Sequence, residues 1–194
     1  METKYKIPQN LLSKGNTNAK TSKNSLKTFI LYLAPHKQND KNINICPMAS
    51  KGCISACLYT SGRGKFSNVQ NARINKTNFY IYDKELFVLK LAGEIIKETN
   101  KAKKNKEKIA FRLNGTSDID FIYLLQKYAQ LDIEDLKENA VFYDYTKVLG
   151  KIRKYKNHSN YHLTFSRAED NDSISEVALH DGGNVAIVFR DGLP

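Results

Sequence analysis

The sequence predicts an α/β fold, a five-stranded mostly parallel sheet or partial (β/α) barrel with outer helices. Two observations lead there. Short apolar runs rich in β-branched and aromatic residues alternate with longer helical patterns, as strands joined by helical crossovers do, and most of these runs end in a polar cluster. The chain has 194 residues, enough for one sizeable core and too few for a full eight-stranded barrel.

Residues 1–25 hold an excess of Ser, Asn, Lys and Thr with a turn signal at Gly15 and Asn16, and read as an arm that carries little core, laid over a single domain of residues 26–194. The first strand is expected at 28–34, a compact run of strand formers ended by Pro35. A Cys-containing loop, 46–64, follows it. Helical patterns cover 69–76 and 84–101, the latter with Leu86, Leu89, Ala92 or Leu91, Ile95 and Ile96 on one face. Further strands are expected at 108–113, 140–145, 161–165 and 184–189. Helices at 121–129 and 173–179, and a basic helix after Lys147, connect them.

Parallel strands present their carboxyl ends on one edge, where ligands bind in open sheets and barrels alike. Asn114, Ser117, Asp118, Asp144, Tyr145, Lys147, Ser166, Arg167 and Arg190 are therefore expected to converge near the Cys loop. Taken singly, each has a plainer reading: Ser117 and Asp118 suit a helix N-cap, and Asp144 can hold a backbone amide. As a set they point to a site in which Asn114, Asp118, Lys147 and Arg167 hold a substrate over the sheet edge.

The protein has three cysteines, all within the twelve residues from Cys46 to Cys57. An odd number cannot all pair within one molecule, and such clustering points to a bound metal or iron–sulfur cluster. Cys53 and Cys57 share a face if their segment is a helical turn, and Gly52 lets the loop bend so that Cys46 joins them. Three ligands leave one position for water or substrate, whereas a structural zinc site usually closes with four. Zinc completed by His36 is the alternative, and packing of the cysteines as small buried hydrophobes is the plain one.

Lys and Arg number 31 against 20 Asp and Glu, a formal charge of +11. This excess favours a polyanionic partner, or records an AT-rich genome. The densest basic run, with Lys147, Lys151, Arg153, Lys154 and Lys156 interleaved with Tyr145 and Tyr155, suits nucleic-acid backbones with some stacking, or a solvated helix face. The opening residues lack a signal peptide's apolar core and no run approaches the ~20 apolar residues of a spanning helix, so a soluble cytoplasmic protein with reduced thiols and no membrane partner is expected. No phosphate-loop or dinucleotide fingerprint is present, because Gly62-Arg-Gly64 lacks the Gly-Lys-Ser/Thr ending. Nucleophilic catalysis by Cys57 and His162 would leave the clustering of three cysteines unexplained.

The segments Cys46–Leu58, Gly62–Gly64, Ala72–Thr77, Arg112–Ile119, Phe142–Lys147, Asn160–Ser166 and Gly183–Phe189 resemble, in order and spacing, the signature blocks of the phage and plasmid family called gene product 88. That resemblance implies a mobile-element origin and no settled activity. More distantly, the three-Cys loop after a first strand is similar to that of radical S-adenosylmethionine enzymes, although the spacing of six then three intervening residues departs from their usual three then two. That resemblance implies an iron–sulfur cluster and S-adenosylmethionine held by Asn114, Ser117, Asp118 and Ser166. Two functions follow as expectations: an iron–sulfur enzyme of this type, or a nucleic-acid-binding accessory protein with a structural Cys loop, contacting phosphates through Lys147, Lys151, Arg153 and Lys154.

Overall fold

The computed structural model describes residues 4–15 and 26–189. Its sheet has six strands in the order of the sequence: β1 (Leu12–Lys14), β2 (Lys27–Leu31), β3 (Ile109–Arg112), β4 (Ala140–Thr146), β5 (Tyr161–Ser166) and β6 (Asn184–Ala186). β1 pairs antiparallel with β2, and every later pair is parallel. The five expected strands are present, and β1 is the addition. Each parallel crossover steps one strand in the same direction, so right-handed connections keep the crossover helices on one face, as in part of a (β/α) barrel.

Those helices are α2 (Ser67–Tyr82), α3 (Lys84–Lys104), α4 (Phe121–Ala129), α5 (Leu149–Tyr155) and α6 (Asp172–His180); a short helix, α1 (Lys51–Ser55), lies in the Cys loop. One large cluster joins Phe29, Leu31, Ile109, Phe111 and Phe142 of the sheet to Phe79, Phe87, Leu91, Ile95, Phe121 and Leu125 of α2–α4. Phe29, Phe111 and Phe142 stack across three neighbouring strands, with ring centroids 5.6 and 5.1 Å apart, the same-face contact that stabilises a sheet. A smaller cluster of Ile152, Phe165 and Ala178 closes the α5–α6 end.

Several boundaries differ from expectation for local reasons. β2 stops at Leu31 because the chain then leaves the sheet, where the Ala34 amide donates to Thr77 Oγ1 at 2.8 Å. β6 ends at Ala186, and Val188 beyond it is 94% exposed. α3 buries Phe87, Val88, Leu91, Ala92 and Ile95, whereas Leu86, Leu89 and Ile96 face solvent: the helix turns so that Phe87 meets Phe79, Tyr80 and Phe121. The N-terminal segment contributes to the body. Leu11 is fully buried, the Leu11 and Leu12 amides donate to Glu94, and Lys76 Nζ donates to the Leu11 carbonyl at 2.6 Å. Residues 1–3 and 16–25 of the expected arm lie outside the described residues, as does Arg190.

Alternation gives the sheet two unlike faces. Phe111, Phe142, Asp144, Thr146, Leu163 and Phe165 share the helix-packed face, while register places Ala110 beside Val141, Tyr143 beside His162 and Tyr145 beside Thr164 on the other. Arg112 follows Phe111 onto that second face.

Candidate functional site

A cavity of about 340 Å³ opens at the carboxyl edge of β2–β5, within the size range of small-molecule sites. Cys46, Cys53 and Cys57 line one side, and Asn114, Ser117, Asp118, Tyr145, Lys147 and Ser166 border it as well. The parallel register brings these residues together: each lies within six residues of a strand's carboxyl end or in the loop after β2. Arg112, Thr116, Thr146 and His36 join them.

The three cysteines are free and half-buried. Cys46 is held in place: its Sγ accepts from the His36 amide at 3.4 Å and donates to the Thr116 carbonyl at 3.7 Å. Burial pushes its thiol up to about 11, with Cys57, Asp118 and Cys53 acting in the same direction and the His36 amide opposing. Cys53 lies on α1, which buries no residue. That helix is seated by its N-terminus instead. Ser50 caps it by accepting from the Cys53 amide, and Glu169, from the loop after β5, accepts from Ser50 Oγ at 2.8 Å and from the Gly52 amide at 2.6 Å. A Cβ at position 52 would lie 2.8 Å from Glu169 Oε1, so glycine permits this approach. Among the described residues, no three His, Cys, Asp or Glu side chains lie close enough to hold an ion as they stand. The thiols border one space without converging on one point.

Asn114 and Asp118 are committed to the protein. Asn114 Nδ2 donates to the Ile119 carbonyl and to Asp144, and its Oδ1 accepts from Ser117 Oγ and the Ile119 amide, which uses all four of its side-chain hydrogen-bonding positions. Asp118 accepts from Thr146 Oγ1, the Lys147 amide and Lys151 Nζ, the last at 2.6 Å. Behind them Asp144, 3% exposed, accepts from the Asn114 amide at 2.7 Å. Burial pushes its carboxyl up to about 6, against the Asn114 hydrogen bonds and the Arg112 charge. These residues shape the edge of the cavity.

Four expected contacts lie elsewhere. Arg167 does not reach the cavity, because its guanidinium forms an exposed two-bond pair with Asp172, at 2.6 and 3.0 Å. Lys151, expected on a surface, is buried against Asp118. Arg153 pairs with Asp181 and Lys154 with Asp120. His162 lies exposed on the second sheet face and does not border the cavity. Arg112, Thr146 and Glu169 went unmarked in the sequence. Alternation after Phe111 could have flagged Arg112, whereas nothing local marks Glu169.

The family described as Gene product 88 matches residues 10–194. The chain belongs to that family. No curated protein and no solved structure matches it. In this Gene product 88 protein, no helix among the described residues is long and apolar enough to cross a membrane.

Proposed function

We propose that this chain is an iron–sulfur protein, similar in plan to radical S-adenosylmethionine enzymes, that acts on a ligand held in the carboxyl-edge cavity. Cys46, Cys53 and Cys57 are its cluster ligands. One observation carries the reading: all three cysteines of the protein, none in a disulfide, border the same cavity. The donor set fits a cluster with one exchangeable position, since three thiolates leave one place open. When bound, such a cluster supplies one-electron chemistry to the ligand that occupies the open place, S-adenosylmethionine in the enzymes of this plan.

The protein's own residues divide the remaining work. Cys46 is fixed by His36 and Thr116, so closure falls to α1, which no buried side chain anchors. Asn114 and Asp118 brace the cavity edge. Lys147 and Ser166 are the strand-end residues whose side chains meet there, Lys147 Nζ 3.3 Å from Ser166 Oγ. Because burial keeps the Cys46 thiol protonated at neutral pH, metal must displace a proton, and uptake strengthens as pH rises. Such thiols need a reducing compartment, which the host cytoplasm provides. The nucleic-acid accessory reading has less support, since Lys151, Arg153 and Lys154 are each paired with a carboxylate.

Anaerobic reconstitution with iron and sulfide tests the proposal, with iron, sulfide and zinc assayed per chain. Uptake of iron and sulfide by the wild type, its loss in Cys46→Ser, Cys53→Ser and Cys57→Ser, and binding of S-adenosylmethionine by the reconstituted protein are expected. Equal uptake by the triple variant overturns the reading. One zinc per chain, lost in His36→Ala, replaces it with a zinc site.

A further inference from the structure

The second face of the sheet sends Arg112, Tyr145, Lys147 and Ser166 into the cavity, from three adjacent strands. The Arg112 side chain forms no hydrogen bond or ion pair among the described residues. Its Nε is buried without a partner, and its guanidinium lies over the Tyr145 ring, 5.1 Å from the centroid. Among the described residues Lys147 Nζ hydrogen-bonds only Ser166 Oγ, with the Glu169 carboxylate acting on it at longer range. The one carboxylate bordering the cavity among the described residues is Asp118, and Lys151 already neutralises it at 2.6 Å.

The cavity therefore carries two cations that form no ion pair among the described residues, Asp144 and Glu169 acting on them only at longer range. A buried guanidinium N–H without an acceptor is costly, and nearby cations repel, so the arrangement suits an incoming anion. A fork of donors, a point charge and a hydroxyl match the several oxygens of a doubly charged group better than one carboxylate. Tyr145, 42% exposed, presents a ring beside them. The same face continues through Tyr143 and His162, the aromatic and polar surface on which bases stack.

We propose that the cavity binds a nucleotide phosphate, with Arg112 and Lys147 on the phosphate oxygens and Tyr145 against the base. This names the substrate class of the site proposed above. It rests on that reading only for the ligand's place beside the cluster, so it is tested on the metal-free full-length chain.

Calorimetric titration at low salt compares adenosine 5′-monophosphate, adenosine, succinate, and an oligothymidylate with and without a 5′-phosphate. The phosphorylated probes are expected to bind, with adenosine, succinate and the unphosphorylated strand at least about tenfold weaker. Arg112→Gln and Lys147→Gln each weaken binding by about tenfold or more, while Arg153→Gln, in an exposed pair on α5, leaves it unchanged. Arg112→Lys keeps the charge but not the fork and falls between, so the role of Arg112 is read even if the glutamine variant unfolds. Tighter binding of the mononucleotide identifies a free nucleotide, and tighter binding of the phosphorylated strand identifies a nucleic-acid end. Equal binding of adenosine or succinate, no effect of Arg112→Lys and Lys147→Gln, or no binding of either phosphorylated probe overturns the proposal, whatever the iron content of reconstituted protein.

Discussion

The two faces of the sheet end differently at the same carboxyl edge. On the helix-packed side the apolar stack of Phe29, Phe111 and Phe142 gives way to Asp144 and Thr146, whose polar atoms meet Asn114, Asp118 and Lys151 in a matched network. On the other side Arg112 and Lys147 form no ion pair among the described residues, with Asp144 and Glu169 acting on them only at longer range. One set of polar residues is complete and braces the fold. The other is left with cations outside any ion pair, which is why the proposed anion is placed on that face.

The largest difference is expected from paired truncations of aromatic residues on opposite faces. Phe111, fully buried between Phe29 and Phe142, is predicted to cost about 3–5 kcal/mol on Phe111→Ala through lost transfer energy and a cavity. Tyr145→Ala, at a 42% exposed ring, should cost about 1 kcal/mol or less. Urea unfolding of both variants measures this, and equal losses would mean that the second face is as structural as the first.

Helix α5 offers a comparison within seven residues. Lys151 and Asp118 are paired at 2.6 Å with side chains 9% and 12% exposed, so Lys151→Ala leaves a carboxylate with only Thr146 and a backbone amide. A loss of about 3 kcal/mol is expected. Arg153, two residues on, pairs with Asp181 in the open, and Arg153→Ala should cost about 0.2–1 kcal/mol. The same unfolding measurement decides whether Lys151 belongs to the bracing network or to the surface.

Titration distinguishes Asp144 from the carboxylates that are paired nearer the surface. Burial pushes it up to about 6, so the folded protein holds its proton more tightly than the unfolded chain, whose carboxyl titrates near ~4. Its contribution to stability is full below that pH, declines as pH rises toward 6, and is gone above it, a change on the order of 2–3 kcal/mol. Asp120 and Asp172 run the other way. Hydrogen bonds from Tyr155 and Lys154 hold Asp120 low despite burial, and Arg167 holds Asp172 low; their contribution is lost as pH falls. Subtracting the Asp144→Asn stability profile from the wild-type profile should isolate a decline between about pH 4 and 6, and a flat difference would refute the assignment.

Much of this arrangement was legible in the sequence because it follows from local periodicity. Strand formers in short runs located β2–β6, and helix α4 matches its expected bounds at Phe121–Ala129. Parallel strands forced the polar clusters onto one edge, which is why six of the nine expected strand-end residues border one cavity. β1 escaped because three residues, Leu12–Lys14, carry no period. By sequence Lys151 is a surface residue because charge normally is, yet it neighbours Ile152 and Tyr155, which α5 buries, and only the tertiary position of Asp118 supplies its partner. Asn114 looked like a ligand residue because a strand-end Asn is equally suited to closing its own loop. Arg167 sits at an expected strand end, but Asp172, five residues on, holds it outside. Each of these outcomes depends on a partner that local pattern does not reveal.

The least perturbing prediction concerns Glu169, 117 residues beyond Gly52. Its carboxylate holds α1 against the loop after β5, and its own amide, the Gly52 amide and Ser50 Oγ keep it below the usual carboxylate range. The latch is therefore present above that range and is lost progressively as pH falls from it through the lowered titration of Glu169. Glu169→Ala should leave the unfolding midpoint nearly unchanged while amide exchange at residues 50–56 quickens, since a short helix with no buried residue opens locally. Gly52→Ala, which pushes its Cβ toward Glu169, should act alike but more weakly, because the end of a flexible side chain can yield. If exchange in that segment is unchanged in both variants, α1 is seated by something other than Glu169. If it quickens, Cys53 rides on a segment that one carboxylate controls, and the Glu169→Ala protein should then take up iron more slowly than wild type under the same reconstitution.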